Sequence, residues 1–563
     1  MPAPIAVSPT DLPLACLYRW ERERPDAVYL TQPTGGGAVQ DLTWAQAAEQ
    51  VRRVASWLTA QDWPAGSRVA LIGKNSAHWI LTDLAIQMAG HICVPIYPTF
   101  NGEALAYILA HSESKALFVG KMDDTANISA GVPDGLPLVT LPLAPALDGL
   151  RWETLLRNHQ PLVGEPLPAL DAISTIIYTS GTTGKPKGVV HSYRAMAWGV
   201  TSATRRVRMD IHDRYISYLP LAHVAERMLI EQGSLRYGGH VFFAEALDTF
   251  VQDLQRARPT VFFSVPRLWV KFQHGVHAKM PAKKLHFLMG LPVIGSIVKR
   301  KILAGLGLDQ CRIAAGGAAP MPPDVLQWYR TLGLDLIEVY GMTENCGVSH
   351  STLPGSRGVG TVGQPYEWVE SRIDPDNGEI QMRCGALMQG YYREDAATAA
   401  AITPDGWLRT GDKGRIDAQG QLSITGRVKD IFKTAKGKYV APAPIEDLLV
   451  LHPDIEACAV SGANLAQPLA LVMLSADATA RTQDSEARAA LQESLLAHLK
   501  QVNAGLEPHE KLGLLVVVTT PWTPENGFVT PTFKVKRNRI DDAYASRFEA
   551  WEASGRQVVW DGA

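Results

Sequence analysis

Along the first part of the chain the apolar positions fall into two alternating rhythms. Between Thr43-Trp44 and Leu58 they recur at helical spacing, at Ala48, Val51, Val54 and Leu58, which predicts an amphipathic helix. Gly66-Ser67 turns the chain into Arg68-Val69-Ala70-Leu71-Ile72, an apolar run of the length of a buried strand. Asn75-Ser76 supplies a helix N-cap ahead of Trp79 to Ala89, and Gly90 ends that helix. The run Ile92 to Ile96, a helix from Leu105 to His111 and the run Lys115 to Val119 continue the alternation. Strands alternating with helices predict an α/β fold with a mostly parallel sheet covered on both faces. Residues 121–170, rich in Pro, Gly, Asp and Leu, read as a loosely structured connection.

After that connection the β-branched run Ile173 to Tyr178 reads as another buried strand. It enters Thr179-Ser180-Gly181-Thr182-Thr183-Gly184-Lys185-Pro186-Lys187-Gly188 and leaves through Val189-Val190-His191, with a helix predicted from Tyr193 to Val200. Glycines let backbone N–H groups close on a polyanion, hydroxyls add donors and lysines add compact positive charge. The loop is suited to phosphate. It is not the G-x-x-x-x-G-K-[ST] loop, because Gly181 and Gly184 stand too close and Pro186 follows Lys185. An ordinary solvated turn is the plainer reading of a loop rich in Gly, Thr and Lys.

Composition narrows the partners. The chain has 563 residues, enough for several domains, and is 46% hydrophobic. Lys+Arg 54 against Asp+Glu 56 leaves a net charge of -2, which argues against nucleic acid as a partner. Six scattered cysteines with no C-x-x-C read as reduced thiols of a cytoplasmic protein. The N-terminal residues lack the pattern of a secretory signal, and no apolar run reaches the ~18 residues of a membrane span.

The string T-S-G-T-T-G-K-P-K-G resembles the signature loop of the adenylate-forming superfamily, which includes acyl-CoA synthetases, adenylation domains and beetle luciferases. By that resemblance Thr179, Ser180, Gly181, Thr182, Thr183, Gly184, Lys185 and Lys187 hold the β- and γ-phosphates of ATP. Leu219-Pro220-Leu221-Ala222-His223-Val224-Ala225-Glu226-Arg227 is similar to a string of long-chain fatty acyl-CoA synthetases, which implies that His223 lies near the substrate carboxylate; a core histidine is the alternative. Glu226 and Arg227 are expected to pair with each other. Ile313 to Pro320 reads as a strand running into a small-residue turn, and Ile337 to Glu344, after a helix from Pro322 to Thr331, ends in Y-G-M-T-E. The family implies adenine between the backbone of Gly316, Gly317 and Ala318 and the ring of Tyr340, Thr343 on the α-phosphate, and Glu344 on Mg²⁺. The hard cation suits one carboxylate plus phosphate oxygens. Asp412, in Thr410-Gly411-Asp412, is implied as the ribose ligand, since a carboxylate offers two acceptor oxygens.

The string around Gly426-Arg427-Val428-Lys429-Asp430 resembles the family's hinge, with Arg427 toward ribose and phosphate and Lys429 as the pivot. This divides the chain at 428: residues 1–428 as the AMP-binding domain and 429–563 as a small mobile α+β domain. Lys433 to Val440 is implied to be the loop used in the thioester step, with Gly437 leaving room for the pantetheine of coenzyme A. Thr530-Pro531-Thr532-Phe533-Lys534-Val535-Lys536 resembles the last family motif, with Lys534 as the catalytic lysine and Lys536 the neighbouring alternative; Phe533 stands where many relatives have Gly.

The implied activity is ATP-dependent formation of acyl-AMP and then acyl-CoA from a long-chain fatty acid. Alternatives are a fatty acyl-AMP ligase, a medium-chain or aryl acid–CoA ligase, or a catalytically silent acyl-binding relative, the last opposed by Lys534, Glu344 and Asp412. One stretch is not absorbed. Lys283 to Leu308 mixes apolar residues with Lys283, Lys284, Lys299, Arg300 and Lys301, and Gly290, Pro292 and Gly295 argue against one long helix. It reads either as a partly buried excursion with a solvated basic face or as a weak patch for the inner membrane surface. The oligomeric state stays open between monomer and homodimer.

Overall fold

The computed structural model describes residues 5–179, 185–356, 360–530 and 534–562. Its largest sheet has eight strands, in the order Gly390–Tyr391, Lys187–Ser192, Ile173–Thr179, Ile92–Ile96, Arg68–Ile72, Leu117–Val119, Leu138–Thr140 and Leu150–Arg151. From Ile173–Thr179 onward all neighbours are parallel, while Lys187–Ser192 folds back antiparallel, as does Gly390–Tyr391 upon it. The expected alternation holds. Ser76 Oγ accepts from the Trp79 amide at 3.2 Å and starts the helix Ala77–Met88, every residue of which is buried. A helix with no exposed face belongs inside a large domain, and its polar residues, such as Asp83 paired with Arg227, must find partners there.

Residues 121–170 correct the expectation of a loose connection. They contribute the two outer strands, Leu138–Thr140 and Leu150–Arg151, and the helix Trp152–Asn158, whose Trp152 is buried against the core. Strands of two or three residues are too short to show alternation.

A second sheet places Val261–Ser264, Ile313–Gly317 and Leu336–Tyr340 side by side and parallel, with two short antiparallel strands beyond. An antiparallel sheet of Glu370–Ile373, Glu379–Arg383, Leu408–Ile416 and Leu422–Arg427 completes the side of the large domain that faces the small one. The small domain carries the hairpin Phe432–Lys433 with Tyr439–Val440 and a four-stranded sheet built on Ile455–Ser461, Leu469–Leu474 and Leu514–Val518. The 20-residue helix Ser485–Ala504 packs on that sheet through Leu491, Leu495 and Leu499. An ion pair between Arg267, on the large-domain helix Pro266–Lys279, and Glu456 bridges the two domains. All six cysteines are unpaired, and among the described residues no helix is long and apolar enough to cross a membrane.

Candidate active site

The strands of the second and third sheets end around one cleft. Gly316 and Gly317 close Ile313–Gly317; at Gly317 the neighbouring strand leaves no room for a side chain, while at Gly316 only the flexible tip of Met321 stands in the way. A Cβ on Gly316 would stand 2.4 Å from Met321 Cε, and one on Gly317 2.9 Å from Val339 Cγ2. Ala318 follows at φ 70°. The parallel register sets Gly317 beside Val339, so the small-residue turn lies next to the end of Leu336–Tyr340. Beyond it Gly341 is pressed on Gly347: a Cβ there would lie 2.2 Å from the Gly347 carbonyl carbon. Between these two glycines Thr343 and Glu344 lie in a short buried turn, closed by the Gly347 amide donating to the Met342 carbonyl at 2.8 Å.

Two buried partners fix that turn. His191 donates Nε2–H to the Thr343 carbonyl at 2.7 Å, which leaves Nδ1 as the acceptor facing Cys346 Sγ at 3.4 Å. Burial holds His191 down to about 4, so the ring is neutral. The Tyr391 hydroxyl donates to Glu344 Oε1 at 2.8 Å. Burial pushes the Glu344 carboxyl up, while Tyr391, then Arg427 and Lys187, work the other way. Lys187 Nζ stands 5.0 Å over the Tyr391 ring, and Lys185 Nζ 4.9 Å over the Tyr107 ring.

The third sheet brings in the next group. Its register sets Asp412 directly opposite Arg427. Asp412 Oδ1 accepts from Arg427 Nε at 3.0 Å and Oδ2 from the Tyr340 hydroxyl at 2.7 Å. Tyr340, Asp412 and Arg427 are thus one chain of hydrogen bonds across the mouth of the cleft. Arg427 stays about half exposed there.

From the small domain comes Lys534. Its amide donates to Thr530 Oγ1 at 3.0 Å, and Arg537 holds the segment by bonds to both Glu446 oxygens and the Val460 carbonyl. Crowding by protein and the charge of Arg427 lower the Lys534 ammonium, while Asp412 and Glu344 pull it back up. On the opposite wall His223 accepts from the Ala225 amide at Nδ1, 3.1 Å, so its neutral ring carries the proton on Nε2. Burial and the charge of Lys534 hold it down to about 4.

The structure therefore gathers Thr343, Glu344, Tyr340, Asp412, Arg427, Lys187, His223 and Lys534 around one cleft, with Gly316–Ala318 at its edge. Thr179 lies at the end of its strand, paired with Lys187. Ser180, Gly181, Thr182, Thr183 and Gly184 lie outside the described residues. Lys429 sits exposed in the turn after Leu422–Arg427. Gly437 stands at φ 74° in the exposed loop of the small-domain hairpin, whose backbone bonds run to Lys438, Asn464 and Leu465 of its own domain. The structure does not bring Gly437 to the cleft.

One expectation is overturned. Glu226 and Arg227 do not pair. Glu226 accepts from Ser217 Oγ at 2.8 Å, the Tyr218 amide at 2.9 Å and Asn75 Nδ2 at 3.2 Å, and burial raises it to about 8. Arg227 turns the other way, to Asp83 at 2.7 Å and Glu231 at 3.1 Å, all three side chains being sealed from solvent. Consecutive helical residues project in different directions and cannot face each other. Tyr391 and His191 are the groups that sequence reasoning missed. The apolar strand around His191 was legible, but the partners of both residues depend on tertiary pairing.

Comparison with known proteins supplies the family. A family model described as AMP-binding enzyme matches residues 17–392, and one described as AMP-binding enzyme C-terminal domain matches residues 429–554. A long-chain-fatty-acid–CoA ligase of Mycobacterium bovis is 32% identical over 98% of this chain and 98% of its own. The peroxisomal long chain acyl-CoA synthetase 6 of Arabidopsis thaliana is 30% identical over 90% of this chain and 81% of its own. Among solved structures, the A domain of a carboxylic acid reductase from Segniliparus rugosus superposes with a TM-score of 0.79 at 22% identity, covering 96% of this chain and 93% of that one. With both family regions in order along the chain and relatives aligned over nearly its whole length, the chain belongs to the AMP-binding enzyme family.

Proposed function

We propose that the cleft joins a long-chain fatty acid to coenzyme A in two steps, by way of the acyl adenylate, and that Lys534 and the Gly437 loop take turns in it. The observation that supports the first step is that Lys534 of the small domain lies within electrostatic reach of Asp412, Glu344 and Arg427 of the large one. In that step a fatty carboxylate attacks the α-phosphorus of ATP, forming the acyl–phosphate bond and releasing pyrophosphate. Two anions must approach, so the protein's task is positioning and stabilising negative charge. Lys534 supplies a cation at the cleft. Arg427, paired to Asp412, supplies a second beside the ribose position. Asp412 has an acceptor oxygen on each side for ribose hydroxyls, at the cost of its present bonds to Arg427 or Tyr340. His223, neutral and protonated at Nε2, can donate to a carboxylate oxygen without adding charge.

Glu344 suits Mg²⁺ brought in with ATP. It is one buried carboxylate beside Lys187, and among the described residues no cluster of three His, Cys, Asp or Glu could cage a metal by itself. Mg²⁺ bound through one carboxylate and phosphate oxygens fits that donor set and would neutralise phosphate charge. Tyr391 orients the carboxylate for it.

In the second step the coenzyme A thiol attacks the acyl carbon, the acyl–phosphate bond breaks and AMP leaves. The exposed Lys433–Lys438 loop lies away from the cleft while Lys534 faces it, which supports a reading in which the small domain turns about Lys429 between steps. The long-chain substrate rests on the names of the relatives and on the strings around His223 and Lys534.

The test is pyrophosphate release across straight-chain acids from acetate to stearate, with and without coenzyme A. Turnover that requires coenzyme A and peaks at long chains is expected. A single turnover that coenzyme A does not pull forward would refute the thioester step and point to a carrier-protein acceptor. A maximum at short or aromatic acids would refute the long-chain substrate.

A further inference from the structure

The basic, apolar stretch left over from the sequence folds as a helical hairpin, Ala282–Gly290 and Ile294–Gly305. Its crossing is tight: Gly295 lies so close to the Met289 carbonyl that a Cβ there would stand 2.3 Å from the oxygen. The inner face is anchored. Leu285 is buried, and Met289, Val298, Ile302 and Leu303 pack on the aromatic cluster of Phe250, Trp269, Phe272 and Trp328. Among the described residues, none covers the outer face. Phe287 is 67% exposed, Val293 74%, Ile294 49% and Ile297 41%, all near the turn that joins the helices.

Charge completes the picture. Residues 254–308 contain no Asp or Glu at all, in a chain that has 56. Lys283, Lys284, Lys299, Arg300 and Lys301 sit on the hairpin itself, and the ion pairs that flank the stretch, Arg258–Asp309 and Arg267–Glu456, do not involve them. In an antiparallel hairpin the beginning of the first helix and the later part of the second lie at one level. At ~1.5 Å rise per residue these cations form a collar roughly 10 Å behind the apolar tip. Elements that rest in a bilayer surface sink about 5–10 Å, to the boundary of headgroup and acyl chain. Apolar tip and basic collar thus match the two layers of an anionic membrane surface.

We propose that this hairpin docks the protein on anionic phospholipid bilayers, with Phe287, Val293, Ile294 and Ile297 inserted and the five cations at the phosphates. A second copy of the chain fits the face poorly, because two collars of like charge would meet. The proposal rests on the hairpin alone and does not require the fatty-acid reading. Its inner anchor does reach the cleft wall: Trp269, in the shared cluster, donates Nε1–H to the Ala315 carbonyl at 3.3 Å.

The experiment is flotation of the full chain with vesicles of phosphatidylcholine, alone or mixed with phosphatidylglycerol. Binding is expected only with phosphatidylglycerol and is expected to weaken with salt. Replacing Lys299, Arg300 and Lys301 by Gln should lower partitioning by about 10²-fold, at about fivefold per cation near an anionic surface. Replacing Phe287 and Ile294 by Gln should lower it as well, with the thermal midpoint and vesicle-free pyrophosphate release unchanged. As a direct reporter, Phe287→Trp should shift to the blue and be quenched by brominated lipid. Equal flotation with pure phosphatidylcholine, no flotation, or unaltered binding by both sets of variants would overturn the proposal. So would a lipid-free dimer abolished by the Phe287 and Ile294 changes, which would assign the face to a second copy.

Discussion

Arg227→Met is the sharpest probe of how the wall beneath His223 is held. Arg227 is fully sealed from solvent, bonded to Asp83, to Glu231 and to Thr175 Oγ1 at 2.7 Å. One cation faces two carboxyls. Burial and the charge of Asp83 push Glu231 well above the usual carboxylate range, with Arg227 working the other way. Among the described residues Asp83 Oδ1 and Glu231 Oε1 are both buried without a hydrogen-bond partner, and one proton on Glu231 lets the trio stay near neutral. Methionine keeps most of the volume but removes the only cation. Breaking a buried ion pair in this way costs about 3–5 kcal/mol. The sign with pH follows. An acid whose folded pKa is raised stabilises the fold fully below the ordinary carboxylate pKa, and that stability is lost as pH rises toward the folded value. Without Arg227 the folded value climbs further, so the deficit against wild type should widen over the pH range above the wild-type folded value, where wild type alone has released the proton. Urea unfolding followed by far-UV circular dichroism across that range measures it. Asp83→Leu/Arg227→Met/Glu231→Leu should recover most of the loss, because replacing all the charges leaves none unpaired. A loss under about 1 kcal/mol, or one that does not change with pH, would show that the trio is not a charge-balanced unit.

Other consequences are as direct. Lys534→Ala should slow acyl-adenylate formation by ~10²–10³-fold while thioester formation from supplied acyl-AMP survives; equal loss of both half-reactions would count against alternating use of the cleft. Tyr391→Phe removes the bond to Glu344 and should lower kcat/KM for ATP by about 10–100-fold, from the ~1.5–3 kcal/mol of a hydrogen bond to a charged group, with no change in the melting temperature beyond a few degrees. Gly341→Ala drives a methyl into the Gly347 carbonyl and should abolish adenylation, whereas Gly347→Ala, with open space but φ 73°, should cost only about 1–2 kcal/mol of stability.

Much of this was written locally. Runs such as Arg68–Ile72 and Ile173–Thr179 are long and apolar enough to announce themselves, and Ser76 marks a helix start by its own hydroxyl. Some motif strings also name their positions: Gly316–Gly317 and Tyr340 occupy strand ends where the parallel sheet delivers them, while Asp412 sits mid-strand in an antiparallel sheet. What stayed hidden depends on who pairs with whom. Leu138–Thr140 becomes a strand only because Leu117–Val119 lies beside it. Tyr391 meets Glu344 through a two-residue strand that has no periodicity to read. Adjacency misled at Glu226 and Arg227, where the helical turn sends neighbours to opposite partners. The exposed tip of the hairpin could not be separated from a buried one by composition, because its inner and outer faces are both apolar.

The edge strand Gly390–Tyr391 has a bearing on how the protein is made. It pairs with Val189–Val190, so all of residues 193–389 must be synthesised and folded before Tyr391 can reach the turn that bears Glu344. Contacts so distant in sequence form late, because the loop they close is long. A nascent chain that stops short of Gly390 therefore lacks the Tyr391 bond to Glu344, and it gains Lys534 only near the end of synthesis. Two strands of the large domain, Leu408–Ile416 and Leu422–Arg427, are still to come at that point, so the bond to Glu344 becomes possible before the sheet that carries Asp412 is complete.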